Sequence, residues 1–198
     1  MKWTDSGGGQ DFQQAPAGTQ EAICTGVIDL GTQEGEWQGK PLIRHQVLVQ
    51  WELPACPMDD GQPFIVSKFY TASLNEKANL RRDLESWRGR PFTEAELAGF
   101  ESKNIIGKPC LLSIIHNEAG KARVSGVMAV PKGMTIPKQH NANLHFSMEH
   151  GEFSAATFEK VGKGLQDIIR KSPEYQEAVG NGHPEKAHDD IESDIPFR

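Results

Sequence analysis

The feature that most constrains the fold is an alternation of apolar and polar residues between positions 43 and 53. The apolar set is Ile43, Val47, Val49, Trp51 and Leu53, and the polar set is Arg44, Gln46, Gln50 and Glu52. A period of two residues is typical of a β-strand with one face on a core and the other in water. The chain is therefore predicted to build a sheet around this strand.

Strand and turn signals recur on both sides of this segment. The predicted strands are 23–30, 43–53, 64–71, 107–116 and 122–130. The first ends at Gly31, after which a polar loop over 32–40 carries Trp37. An Asp-Asp-Gly turn at 59–61 precedes the third strand, and an Asn-Glu-Ala-Gly turn at 117–120 joins the last two. These signals predict a sheet of five strands.

The segment between the third and fourth strands is predicted to be helical. Ser73 and Glu76 have the spacing of a capping box, in which two side chains satisfy free N–H groups at a helix start. Gly89 is suited to the left-handed conformation that ends a helix. A second box at 93–96 predicts a further short helix.

Three strands, a helix and two strands, in that order, are typical of the OB-fold, a small Greek-key barrel. A five-stranded barrel of another family would have the same order. The predicted class is mainly β: a five-stranded OB-fold barrel with a helix between strands 3 and 4, a C-terminal helical appendage and disordered termini.

Composition divides the chain into five segments. They are a flexible N-terminal arm at 1–18, the OB-fold domain at 19–133, a linker at 134–152, a helical appendage at 153–180 and a disordered acidic tail at 181–198. The arm is rich in Gly and Gln, and the appendage has an amphipathic pattern that suits packing on the barrel or on a partner.

The formal net charge of −6 does not exclude nucleic acid, because acidic residues outnumber basic ones mainly from Met134 onward. Cys24, Cys56 and Cys110 lack metal-ligand spacing and are predicted to be reduced thiols. We expect no metal, no cofactor and no catalytic residues, since no nucleophile triad, P-loop or dinucleotide fingerprint is present. No apolar run is long enough for a membrane span and no signal peptide is visible, so we expect a cytoplasmic protein without membrane contact.

The block at 69–90 resembles the strand-to-helix signature of single-stranded DNA-binding proteins from tailed bacteriophages. Residues 107–112 and 131–133 continue the likeness, which extends over roughly 19–175. The resemblance implies an OB-fold protein that coats single-stranded DNA during phage replication, in the host cytoplasm if the chain is phage-encoded.

The acidic end of the chain is similar to the C-terminal tail of bacterial single-stranded DNA-binding proteins. The matching residues are Asp189, Asp190, Glu192, Asp194, Ile195, Pro196 and Phe197. The resemblance implies a peptide that recruits replication, recombination and repair proteins. In that family the chain ends at the Phe, whereas Arg198 follows here.

Binding of single strands without sequence preference needs cations along the phosphates and flat side chains on which bases stack. The candidate residues are Trp37, Arg44, Gln46, Lys68, Tyr70, Arg81, Arg88 and Lys132. We expect a non-catalytic protein that binds and protects single-stranded DNA in replication and recombination. The alternative is an OB-fold adaptor or recombination mediator that mainly binds proteins and contacts DNA incidentally.

Overall fold

The computed structural model describes residues 13–149 and 151–180, apart from the side chain of Trp37. This part of the chain is mainly β, with one sheet and a few short helices. The strands are β1 (Gly18–Trp37), β2 (Lys40–Pro57), β3 (Pro63–Thr71), β4 (Pro109–His116), β5 (Ala122–Met128) and β6 (Leu144–Phe146). The helices are α1 (Asn79–Arg88), α2 (Glu94–Ala98), α3 (Ala155–Phe158), α4 (Lys163–Ile169) and α5 (Pro173–Gly180), with a 3₁₀ turn at Ser102–Ile105.

The sheet has the strand order β3-β2-β1-β4-β5, with antiparallel neighbours, and β6 pairs parallel with β1. The long strand β1 pairs with β4 near its start and with β2 along the rest of its length. Its bulges, between Cys24 and Gly26 and between Asp29 and Gly31, increase the local twist. Residues of the two end strands, β3 and β5, come within 8 Å of each other. The sheet therefore curls around its inner face.

The inner face and α1 enclose the main core. Buried apolar residues at its centre include Trp51, Leu53, Leu84, Trp87 and Leu112. Cys24 and Cys110 are also buried, and burial raises the pKa of the Cys24 thiol to about 12. The thiol therefore stays protonated, which agrees with an inert core residue.

A second core lies on the outer face of β1 and β2. Ile28, Leu30 and Leu48 are buried there by β6 and the C-terminal helices; the covering residues include Phe146, Met148, Phe158, Val161 and Ile169. We call this covering segment, residues 140–180, the C-terminal layer. It removes part of the outer face from solvent.

Glu52 shows how the C-terminal layer changes a prediction made from alternation. The pattern placed Glu52 on a solvated face, but it is fully buried. Its carboxylate accepts hydrogen bonds from the backbone N–H groups of His140 and Asn141, at 2.6 and 2.7 Å. The predicted linker thus packs on β2 and includes β6. The polar side chain is buried because donors distant in the sequence satisfy it.

Two local predictions were wrong. The predicted loop over 32–40 continues β1 and closes in a tight turn, where Gln38 and Gly39 both have positive φ. The predicted capping box at Ser73 does not form, since its hydroxyl accepts from the N–H of Asn75 and α1 begins only at Asn79. Local hydrogen bonds of Ser and Asn compete with the helix here.

Other local signals were confirmed. Thr93 and Glu96 form the predicted capping box of α2. Gly89 ends α1 with a φ of 70°. The predicted flexible arm at 1–18 was wrong for its described residues, because Ala15 is buried and Gln13 hydrogen-bonds Asp59. Among the described residues, no helix is both long and apolar enough to cross a membrane.

Candidate nucleic-acid interface

The outer face of β3 carries exposed apolar side chains beside polar ones. β3 pairs with β2 so that Phe69 lies opposite Leu48 and Thr71 opposite Gln46. Alternation along β3 therefore turns Ile65, Ser67 and Phe69 outward, and Ile65 and Phe69 are exposed. The C-terminal layer buries Leu48, so the open strip begins at β3.

Phe69 is the most prominent side chain of this strip. It is an aromatic residue on the outward face of β3, and it is 49% exposed. Beside it lies a depression of about 470 Å³, whose lining includes Arg44, Gln46, Ser73 and Lys77. An aromatic face beside two cations provides both groups that a single strand needs.

The turn after β3 positions Lys77 at this depression. The Ser73 hydroxyl accepts from the N–H of Asn75 at 3.1 Å, and the Asn75 side chain accepts from the N–H of Lys77 at 3.1 Å. These two turns carry the chain across the end of β3 before α1 starts. Arg44 and Lys77 form no ion pair with any residue in the described ranges, so both cations are available to phosphates.

Lys68 and Tyr70 lie on the opposite face of β3, toward α1. The Lys68 ammonium and the Tyr70 hydroxyl both donate to Asp83 Oδ2, at 2.7 and 2.8 Å. Burial is the main cause that raises the pKa of the Tyr70 hydroxyl well above its usual range, and the nearby Asp83 carboxylate raises it further. The two residues share a face, as predicted, but that face packs on the core and their role here is structural.

The predicted arginines are held by carboxylates. Arg81 donates to Glu85 at 2.9 Å, and Arg88 donates to Glu96 while lying over the ring of Phe92. Both side chains are mostly buried. Lys132 is exposed in the turn after β5 but does not line the depression.

Of the predicted binding residues, Arg44, Gln46 and Tyr70 line the same depression. Arg44 and Gln46 lie on the outer face that the alternation assigned to them, whereas Tyr70 is buried and its hydroxyl donates to Asp83. The side chain of Trp37 and the whole acidic tail, including the residues of 189–197, lie outside the described part of the chain. The described residues contain no cluster of three or more His, Cys, Asp or Glu side chains suited to a metal.

Sequence reasoning missed Phe69 and Lys77. On β3, both faces carry a mixture of apolar and polar residues, so the alternation did not show which face was inside. Tyr70 was chosen because Lys68 shares its face, yet Asp83 holds that lysine. The available signal was Asp83 itself, an acidic residue on the apolar side of the predicted helix.

No model of a known family matches the chain, and no curated protein matches it significantly.

Proposed function

We propose that this protein has an OB-fold and binds single-stranded DNA without catalysing a reaction. The strand order β3-β2-β1-β4-β5, with a helix between β3 and β4 and with β3 near β5, supports the fold. In an OB-fold the face of strands 2 and 3 binds oligonucleotides. The exposed Phe69 lies on that face.

The observation that carries the proposal is Phe69 beside Arg44 and Lys77. A base stacked on an aromatic ring contributes about 1–3 kcal/mol, whatever its identity. The two cations would contact neighbouring phosphates, and this contact gives binding that depends on salt rather than on sequence. Coating and protection of single strands in replication and recombination are the roles that such binding suits.

Replacing Phe69 tests the proposal. Phe69→Ala is expected to weaken binding of fluorescently labelled oligothymidine by about tenfold, measured by anisotropy, because one stack is lost. Phe69→Trp should retain affinity. Ile115→Ala is the matched control, since Ile115 is equally exposed but lies on β4. Equal losses of affinity for Phe69→Ala and Ile115→Ala would show that the binding site does not lie at Phe69.

The acidic tail is proposed to recruit replication and repair proteins, on the basis of the sequence resemblance alone. Phe197→Ala should abolish capture of such a protein on immobilised chain, while Ser193→Ala should not. The competing adaptor function predicts capture of a protein partner with no binding of single strands by the wild-type chain, so the two assays separate the functions.

A further inference from the structure

A second cavity adjoins the proposed binding strip. It measures about 270 Å³ and lies between the middle of β1, the first half of β2, the start of α1, and β6 with the residues that follow it. Ser73 lines both this cavity and the depression beside Phe69. The two spaces therefore adjoin at Ser73, within reach of a strand bound along the strip.

The walls of the cavity are mostly apolar. Leu74, Leu80, Phe100 and Ile105 are among the residues that line it. A volume of about 270 Å³ is near the lower limit for small-molecule pockets, which is about 300 Å³. The space suits one flat ring system better than a larger ligand.

A few polar groups gather at one side of the cavity. Ser102 and His145 are joined there by a hydrogen bond of 2.9 Å, and Glu149 lies nearby without an ion pair to any described residue. Burial and the neighbouring Lys103 lower the pKa of His145. A neutral imidazole has one donor and one acceptor nitrogen, and a carboxylate accepts, so this side can match the mixed polar edge of a heterocycle.

Asp29 and His45 also line the cavity but are already engaged. His45 Nε2 lies 2.7 Å from Asp29 Oδ1, and His45 Nδ1 lies 3.3 Å from Glu174 Oε1. The remaining Asp29 oxygen accepts from the N–H of Met148. The groups left for a ligand are therefore those around His145 and Glu149.

We infer that this cavity receives one nucleobase turned out of the single strand bound along β3. The inference rests on the proposed function and extends it: Phe69 stacks one base, and the cavity encloses another whose polar edge meets His145 and Glu149. A pocket of this kind would give the protein a modest preference among bases at one position, since its polar groups fit some base edges better than others.

An NMR titration of ¹⁵N-labelled protein with pentathymidylate tests the inference. Backbone signals of residues 145–149 and Ser102 should shift together with those of Phe69 and Lys77. A pentamer of abasic deoxyribose phosphate should shift Lys77 but leave 145–149 unchanged. Ser102→Trp fills the cavity from an exposed position, so it should remove the shifts at 145–149 and lower affinity by about tenfold, whereas Ser86→Trp on the exposed side of α1 should do neither.

The other outcomes separate this inference from the proposed function. Shifts confined to the Phe69 strip would overturn the base pocket and leave single-strand binding intact. Shifts at 145–149 that persist in Ser102→Trp would also overturn the pocket, because they would then be indirect. No shift anywhere would overturn both.

Discussion

At the scale of single residues, the site depends on which side chains remain uncommitted. Arg81, Arg88 and Lys68 are each held by a carboxylate, and moving them to a phosphate would break an existing ion pair. Arg44 and Lys77 have no such contact in the part of the chain that the structure describes. They can therefore bind phosphates without breaking an ion pair among the described residues.

The salt dependence of binding should identify these two cations. For single strands, the slope of log affinity against log salt changes by about 0.7 for each phosphate contact. The double variant Arg44→Gln and Lys77→Gln should therefore flatten the slope by about 1.4. Lys160→Gln, which removes an exposed charge after α3, should leave the slope unchanged; an equal change there would show that only net charge matters.

Asp83 should matter for stability rather than for DNA binding. Its carboxylate is buried and accepts from Lys68 and Tyr70. Asp83→Ala leaves a mostly buried ammonium without a partner, which typically costs about 3 kcal/mol. Urea unfolding should show this loss of stability. The double variant Asp83→Ala and Lys68→Met should recover part of the lost free energy of unfolding, because no unpaired ammonium is left buried. A stable Asp83→Ala protein with weakened DNA binding would contradict the structural role of the pair.

At the scale of elements, the side chain of Glu174 connects α5 to the sheet through contacts with β1 and β2. Its carboxylate accepts from the backbone N–H of Thr32 at 2.8 Å and lies 3.3 Å from His45 Nδ1. Gly31 allows this approach, because a Cβ there would come within 2.5 Å of Ser172. The hydrogen bond with Asp29 is the main cause that raises the pKa of His45, and burial opposes it only in part.

This contact predicts a pH dependence of stability. A histidine whose folded pKa is raised stabilises the fold below its unfolded value near 6.5, and the stabilisation is lost as pH rises through the folded pKa. Burial by itself would raise the pKa of Asp29 and of Glu174, but the hydrogen bonds that each carboxylate accepts outweigh this effect and lower both pKa values. Both carboxylates therefore stay charged across the pH range in which His45 titrates. The stability advantage of wild type over His45→Gln should therefore shrink as pH increases from 6 to about 9.

The free energy of unfolding of both proteins, measured by urea titration across that range, checks this prediction. His140→Gln is the control, because His140 contacts Glu52 through its backbone N–H and not through its ring. An advantage over His45→Gln that stays constant or grows with pH would contradict the account.

The sequence predicted elements whose signals are local. The strands and the α2 capping box were found because side-chain period and spacing reflect the backbone directly. The packing of the C-terminal layer on the sheet was not predicted, because its contacts join residues far apart in the sequence. The N–H donors to Glu52, for example, lie 88 and 89 residues further along the chain. The outward orientation of Arg44 and Gln46 could be predicted because the alternation along β2 separates its two faces, whereas both faces of β3 are mixed and gave no sign that Phe69 points outward.

At the scale of the whole molecule, the outer face of the sheet is divided between a part covered by the C-terminal layer and an open part. The C-terminal layer buries Ile28 and Leu30 of β1 and Leu48 of β2, whereas β3 remains open with Phe69 on it and with Arg44 and Lys77 at the adjoining depression. The exposed ring of Phe69 can stack an unpaired base, whereas the bases of a duplex are already stacked on each other. The central claim is therefore binding of single strands in preference to duplexes.

A titration of wild-type protein with labelled oligothymidine and with a duplex of the same length tests that claim most directly. Anisotropy should show submicromolar binding of the single strand at low salt, weakening as salt is raised, and much weaker binding of the duplex. Equal affinity for the two, or no binding of the single strand at any salt concentration, would contradict the account.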